Sequence, residues 1–134
     1  MDWRLEVVVI PVSDVDRAKR FYEAKVGFNL DYDSRISDEL RVIQLTPPGS
    51  ACSISLGTGI VDTPPGSVKG TQLVVSDIEA ARAELMERGV EVSEIRHFDN
   101  GEWVDGRGGD WNSFVFFSDP DGNDWVVQEE PARR

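Results

Sequence analysis

The sequence predicts an α+β fold of two βαβββ modules whose strands build a cupped mixed sheet, with the helices outside. Three observations lead there. An apolar run, a Val-Ser-Asp triplet and an amphipathic stretch ending near glycine occur twice, as VVVIPVSDVDRAKRFYEAKVG at 7–27 and GTQLVVSDIEAARAELMERG at 70–89. Val12, Ser13, Asp14 and Ala18 recur as Val75, Ser76, Asp77 and Ala81, with Val15/Ile78, Asp16/Glu79 and Lys19/Arg82 as conservative matches. Such a recurrence marks a repeated supersecondary unit. Each copy is followed by further strand patterns, so both halves read strand, helix, strand, strand, strand. Finally, 134 residues, 40% of them apolar, suffice for one good core but not for two independent ones. A ferredoxin-like α+β arrangement is the structural competitor.

In chain order, residues 4–11 read as the first strand, closed by Pro11, which interrupts a ladder. Ser13 is placed to cap a helix over 14–26, with Asp16 three residues on as an Asp variant of the capping box. Ala18, Phe21, Tyr22 and Val26 give that helix an apolar face, and Gly27 ends it. Phe28–Asp33 alternates apolar and polar residues as a half-buried strand does. Leu40–Thr46 and Ala51–Leu56 follow as strands around the turn Pro47-Pro48-Gly49-Ser50. Pro64, Pro65 and Gly66 mark a compact crossover.

The second half begins with a strand at Thr71–Val75. Ser76 and Glu79 form a capping box for a helix over about 77–88, whose apolar face is Ile78, Ala81, Leu85 and Met86. In both copies the acids suit a helix N-terminus, so Asp14 and Asp77 read as helix-start residues rather than catalytic carboxylates. Val90–Ile95 reads as a short strand and 96–112 as an irregular, glycine-rich segment carrying Trp103 and Trp111. Ser113–Ser118 is a strand apolar on both sides, Phe114 and Phe116 facing one way and Val115 and Phe117 the other, which implies burial on both. Asp119-Pro120-Asp121-Gly122-Asn123 is a turn. Trp125–Gln128 is the last strand, and Glu129–Arg134 a solvent-facing tail. The expected organisation is a single domain over 1–134, with a first module at 1–60, a linker at 61–69 and a second module at 70–130.

Composition narrows function. The 14 basic and 25 acidic residues leave a formal net charge of −11, which argues against a broad nucleic-acid surface. No run is long enough to span a bilayer, and the start lacks a signal-type pattern, so a cytoplasmic protein is expected. Cys52 is the single cysteine, which excludes an intramolecular disulfide and a cysteine-based zinc site. Two motif matches fail. Asp119-x-Asp121-x-Asn123 lacks the glycine and distal glutamate of a calcium loop, and 106–110 lacks the lysine and hydroxyl of a phosphate-binding loop.

Three stretches, PVSDVDRAKRFYEAKVGF at 11–28, LVVSDIEAARAELMERGVEV at 73–92 and FFSDPDGNDWVVQE at 116–129, together resemble the vicinal oxygen chelate superfamily. This is the superfamily of glyoxalases, bleomycin resistance proteins and dioxygenases. The resemblance covers nearly the whole chain. It implies paired βαβββ modules in a glyoxalase/bleomycin-resistance-like cupped sheet, and commonly a homodimer. It spans metal-dependent enzymes and metal-free drug-binding proteins, so membership alone does not decide function.

The metal site that the resemblance implies draws a ligand from each of four strands. Those positions fall on Val7, Gly70, Val126 and the stretch Ser53–Leu56, none of which is His, Asp or Glu. A shifted alignment would bring Glu6, Gln72 or Gln128 closer, still a poor set for a divalent ion. The expectation is therefore no metal and no cofactor. Alternation puts Gln72 on the face of Gly70, and Gln128 on the face of Val126. These amides are candidate ligand contacts, with Gln44 inside the third strand and the indoles of Trp103, Trp111 and Trp125.

His97, the only histidine, with the loop acids Asp99, Glu102, Asp105 and Asp110 nearby in sequence, is the weak candidate for a catalytic base. The leading functional expectation is a metal-free protein that binds a small molecule in the cup. A lyase, isomerase or dioxygenase-like enzyme with a non-standard site is the alternative, and a structural or regulatory protein without ligand is the third. The 96–112 segment is expected to border the cup and control access to it.

Overall fold

The computed structural model describes residues 1–132 and has the α+β architecture. It divides into two compact units: Met1–Val68 with Asp119–Asn123, and Lys69–Ser118 with the strand from Asp124 on. Each unit has its own mixed sheet, four-stranded in the first and five-stranded in the second. A short segment from late in the sequence thus belongs to the first unit.

In the first unit, β1 (Val7–Val9) runs parallel to β4 (Ser53–Thr58). β2 (Asn29–Arg35) and β3 (Arg41–Thr46) complete the order β1-β4-β3-β2. The helix α1 (Val15–Arg20) continues without a break as a π-helical turn over Phe21–Val26 and ends at Gly27, φ 88°. Glycine reaches that left-handed conformation without a Cβ penalty. The cap lies one residue later than Ser13. Asp14 is the N-cap, its side chain accepting from the Arg17 N–H at 3.0 Å. Ser13 is occupied elsewhere, donating through backbone and side chain to Asp121. α1 packs on β4, and Ile10, Ala18, Tyr22, Ile43, Leu45, Ile54 and Leu56 form the core.

The Asp119–Asn123 turn forms a buried polar hub in this unit. The Tyr22 hydroxyl donates to Asp119 Oδ2 at 2.7 Å, and Asn123 Nδ2 donates to the same oxygen and to the Pro11 carbonyl, both at 2.8 Å. Asp119 Oδ1 accepts from the backbone N–H groups of Asp121 and Asn123. Every buried polar group is thereby partnered, which is what makes such a cluster tolerable. Gly66 is required beside it, since a Cβ there would lie 2.1 Å from the Asp121 carbonyl oxygen.

In the second unit, β5 (Thr71–Val75) runs parallel to β9 (Asp124–Glu129), and β8 (Phe114–Ser118) is antiparallel to β9. β6 (Arg96–Asp99) and β7 (Glu102–Asp105) finish the order β5-β9-β8-β6-β7. α2 (Ile78–Glu87) is capped by Asp77, which accepts from the Ala80 N–H at 3.0 Å, again one residue later than the serine. It packs on β8 and β9. Ile78, Leu85, Val90, Val115, Phe117, Trp125 and Val127 are buried, with the Phe117 and Trp125 rings stacked 6.0 Å apart.

Three local expectations are corrected here. Most of the irregular 96–112 segment is the β6–β7 hairpin, turned by Asn100 and Gly101 at φ 54° and 82°. Asn-Gly with both φ positive is the type I′ turn whose twist matches a hairpin, a signal the sequence carried openly. The strand at 90–95 shrinks to one bridge between Val92 and Phe117, because the Ser93 hydroxyl rather than a neighbouring backbone accepts the Phe116 N–H. Glu129 is no tail residue but the end of β9, its carboxylate accepting the Ile78 N–H at 2.8 Å. The last two tail positions, Arg133 and Arg134, lie outside the described residues.

Candidate ligand-binding face

Strand register sorts the second sheet into two faces. Trp125, Val127, Val115 and Phe117 point to the α2 side and are buried. The pairs Phe114↔Gln128, Phe116↔Val126, Gln72↔Val126, Arg96↔Phe114 and Phe98↔Trp103 carry the opposite, open face from strand to strand. Trp103, on the edge strand β7, reaches across to lie edge-on to Phe98, Phe114 and Phe116 with ring centroids 5.3, 5.3 and 5.1 Å away. Trp103 is 49% exposed and Phe98 48%, while Phe114 and Phe116 are half-buried. Phe114 and Phe116 were expected to be as buried as Val115 and Phe117. The structure leaves them half-buried, with the Trp103 ring lying over both.

The candidate amides border this aromatic face. Gln72 Nε2 donates to Gln128 Oε1, and Gln128 Nε2 donates to the Trp111 carbonyl at 2.7 Å. Trp111 holds φ 61°, unusual for a bulky residue, with its indole half exposed. The strap that carries it, residues 106–112, is tied at several points. Asn112 accepts from the Phe98 N–H at 2.8 Å and donates to the Phe98 carbonyl at 2.9 Å, bracketing β6. Arg107 pairs with Glu129 and, at 3.8 Å, with Glu79. The Glu129 carboxylate beside it holds the Arg107 guanidinium above its ordinary pKa, against burial, which acts the other way.

The other candidates lie elsewhere. Trp125 is on the α2 side and only 2% exposed, so its indole is core packing. His97 lies on the side of β6 opposite Phe98, its Nδ1 2.9 Å from the Gly106 carbonyl. Among the described residues no ion pair joins His97 to a carboxylate. Gly108 is pressed against it: a Cβ there would meet the Asn112 carbonyl at 2.3 Å and His97 Cβ at 2.7 Å. Gln44 belongs to the first sheet. There it accepts from the Tyr32 hydroxyl at 3.3 Å and donates to Asp31 at 3.2 Å. Thr46 continues that chain to Asp31 and to Ser53. A bulge between Leu30 and Tyr32 brings Asp31 to this side.

The residues do not fit a divalent metal. Val7 pairs with Ser53 on the open face of the first sheet, and Val126 with Gln72 on that of the second. Aliphatic side chains, hydroxyls and amides are no donor set for a transition metal. Among the described residues, no three His, Cys, Asp or Glu side chains are grouped to hold one. What the second face can do chemically is stack on an aromatic or apolar surface and offer amide donors and acceptors at its border.

The family model for the Glyoxalase/Bleomycin resistance protein/Dioxygenase superfamily matches residues 4–127. The chain belongs to this superfamily. Among solved structures of the superfamily's fold, it is similar to TnmS3, an antibiotic binding protein from Streptomyces sp. CB03234, at 34% identity. The match covers 97% of this chain and 98% of that one, with a TM-score of 0.77. A glyoxalase/bleomycin resistance protein from the same organism is 35% identical over 93% of this chain and 99% of that one, with a TM-score of 0.73. A curated relative, the uncharacterized protein YetH of Bacillus subtilis, is 25% identical over 94% of this chain and 98% of its own length. Phe98, Phe114 and Phe116 are candidate site residues that the sequence reading did not name as such. The Asn-Gly turn, which pairs Phe98 with Trp103, is the signal that finds Phe98.

Proposed function

We propose that this superfamily member binds an aromatic small molecule reversibly on the open face of the second sheet, without a metal and without making or breaking a bond. The observation that carries the reading is the aromatic cluster in which Trp103 and Phe98, each about half exposed, lie against the half-buried Phe114 and Phe116. Aromatic side chains of this size left in water mark a binding surface. The glutamine pair at its border supplies orientation through an amide acceptor and donors. The similarity to an antibiotic binding protein supports the same reading and points to antibiotic-like ligands. The strap carrying Trp111, joined to Gln128, serves as a border that closes over bound ligand, and the protein acts as a homodimer.

The test is calorimetric titration of the metal-stripped chain with a panel of aromatic antibiotics, followed by mass spectrometry of the recovered compound. The expected result is stoichiometric binding of at least one compound, returned unchanged. Binding that appears only after a divalent ion is restored, or a chemically altered product, overturns the reading.

A further inference from the structure

The amides at the border of the aromatic face form a chain with a fixed direction. The Trp111 carbonyl can only accept, so the end of Gln128 that lies 2.7 Å from it is the NH2 group. The Gln128 oxygen is thereby turned to Gln72, whose Nε2 donates to it. Among the described residues Gln72 Oε1 has no donor, and Gln72 itself is exposed. An amide whose N–H donates is a stronger acceptor at its oxygen, so the chain polarises toward Gln72 Oε1. The second N–H of each amide sits on a nitrogen that already donates and is the weaker site.

Strand register sets how far this oxygen is from the rings. Gln72 pairs with Val126, and Val126 pairs with Phe116. With strands about 4.8 Å apart, the Gln72 and Phe116 positions are about 10 Å apart, with Val126 between them. Val126 is half-buried, and its side chain is shorter than those on either flank, which leaves a trough along the row. The Trp103 ring, 5.1 Å from that of Phe116, walls the far end. We infer that this face selects a flat, fused-ring arene with a neutral hydrogen-bond donor on its edge: the rings lie along Val126 against Phe116 and Trp103, and an O–H or N–H at the other end donates to Gln72 Oε1. Two fused rings span that row, and a single ring does not. The formal net charge of −11 favours a protonated hydroxyl over its anion. The donor is what distinguishes ligands here, because the stacking surface accepts any flat ring. This rests on the binding face proposed above and names the feature that the face selects.

The test is calorimetric titration of the full chain with umbelliferone and with its methyl ether, at a pH where the hydroxyl keeps its proton. The two compounds share both rings and the lactone carbonyl and differ in the donor alone. Wild type should bind umbelliferone about fivefold tighter than the ether, the net worth of one hydrogen bond. Gln72→Leu, at an exposed position, should bring the two affinities to within about twofold of each other. The ratio is the readout, so apolar contact that leucine adds to both compounds cancels. Equal binding of the two compounds by wild type overturns the inference. So does a preference for umbelliferone that survives Gln72→Leu, because the donor is then accepted elsewhere. In both of those cases the binding face itself stands if Trp103→Ala weakens both compounds. Affinities that Trp103→Ala leaves unchanged, or no binding of either compound, overturn the face and the inference together.

Discussion

The open faces of the two sheets differ in kind, although the modules that carry them start from the same Val-Ser-Asp repeat. On the first, Tyr32, Gln44, Asp31, Thr46 and Ser53 hydrogen-bond to one another in a chain, so its polar groups are largely engaged internally. On the second, Trp103 lies edge-on to three phenylalanine rings, and it and Phe98 remain about half in water. A saturated polar chain gains little from a new partner, because each new hydrogen bond replaces one already made. An aromatic cluster still in water gains from every further ring it covers. The repeat conserved what builds a module, namely the cap and the apolar helix face, and left the open faces to diverge.

The largest expected effect is on stability and concerns the hub of the first unit. Asn123→Ala strips the Pro11 carbonyl and Asp119 of a buried donor, and should cost about 2–4 kcal/mol, as expected for a buried polar network left unsatisfied. Urea unfolding measures it. A loss under about 1 kcal/mol would mean that the turn is held by packing rather than by these bonds.

The next prediction sets the two faces against each other. Trp103→Ala should weaken binding of any compound found by the titration at least tenfold, about 1.4 kcal/mol. Tyr32→Ala on the first face should change it less than twofold. Equal losses, or a larger one from Tyr32→Ala, would move the binding site off the aromatic face.

Acid sharpens the contrast further. Arg41, bonded to Asp33 at 3.0 and 2.8 Å, holds the Asp33 carboxyl well below the usual carboxylate range, with Lys19 adding to the effect and burial opposing it. Because the folded value is the depressed one, this pair stabilises the protein above the unfolded carboxylate pKa of about 4 and ceases to as pH falls below it. The expected contribution is about 1 kcal/mol, since the pair lies near the surface. It should disappear in Asp33→Asn, whose stability profile is then flatter than that of wild type between about pH 4 and pH 2.

The smallest effect belongs to the strap. Trp111→Gly relieves the positive φ, a gain of about 1 kcal/mol. The larger backbone entropy of glycine in the unfolded chain offsets part of it. The variant should therefore stay within about 1 kcal/mol of wild type in urea unfolding, while ligand affinity reports separately whether the indole closes over the face. A loss of 2 kcal/mol or more would show that the indole is packing, not a border.

The amino-acid sequence by itself determined the strand–helix–strand–strand–strand order of the first half, both helices, the alternation along the strands and the lack of metal-ligating side chains at the positions the resemblance implies. These follow from periodicity and residue chemistry, which act locally. Trp103 was legible as an unusual residue, and alternation along each strand put Gln72 on the face of Gly70 and Gln128 on the face of Val126; that the two amides meet was decided by the pairing of the strands. Only the tertiary structure decided that Trp125 is buried and Trp103 is not, since both sit in strands of similar composition and differ in which side α2 covers. It also decided that the Asp119–Asn123 turn closes on Tyr22 and Pro11, about a hundred residues away in sequence. No local pattern encodes a contact of that separation, because it depends on where the intervening chain returns, and burial is a property of the partner surface as much as of the residue.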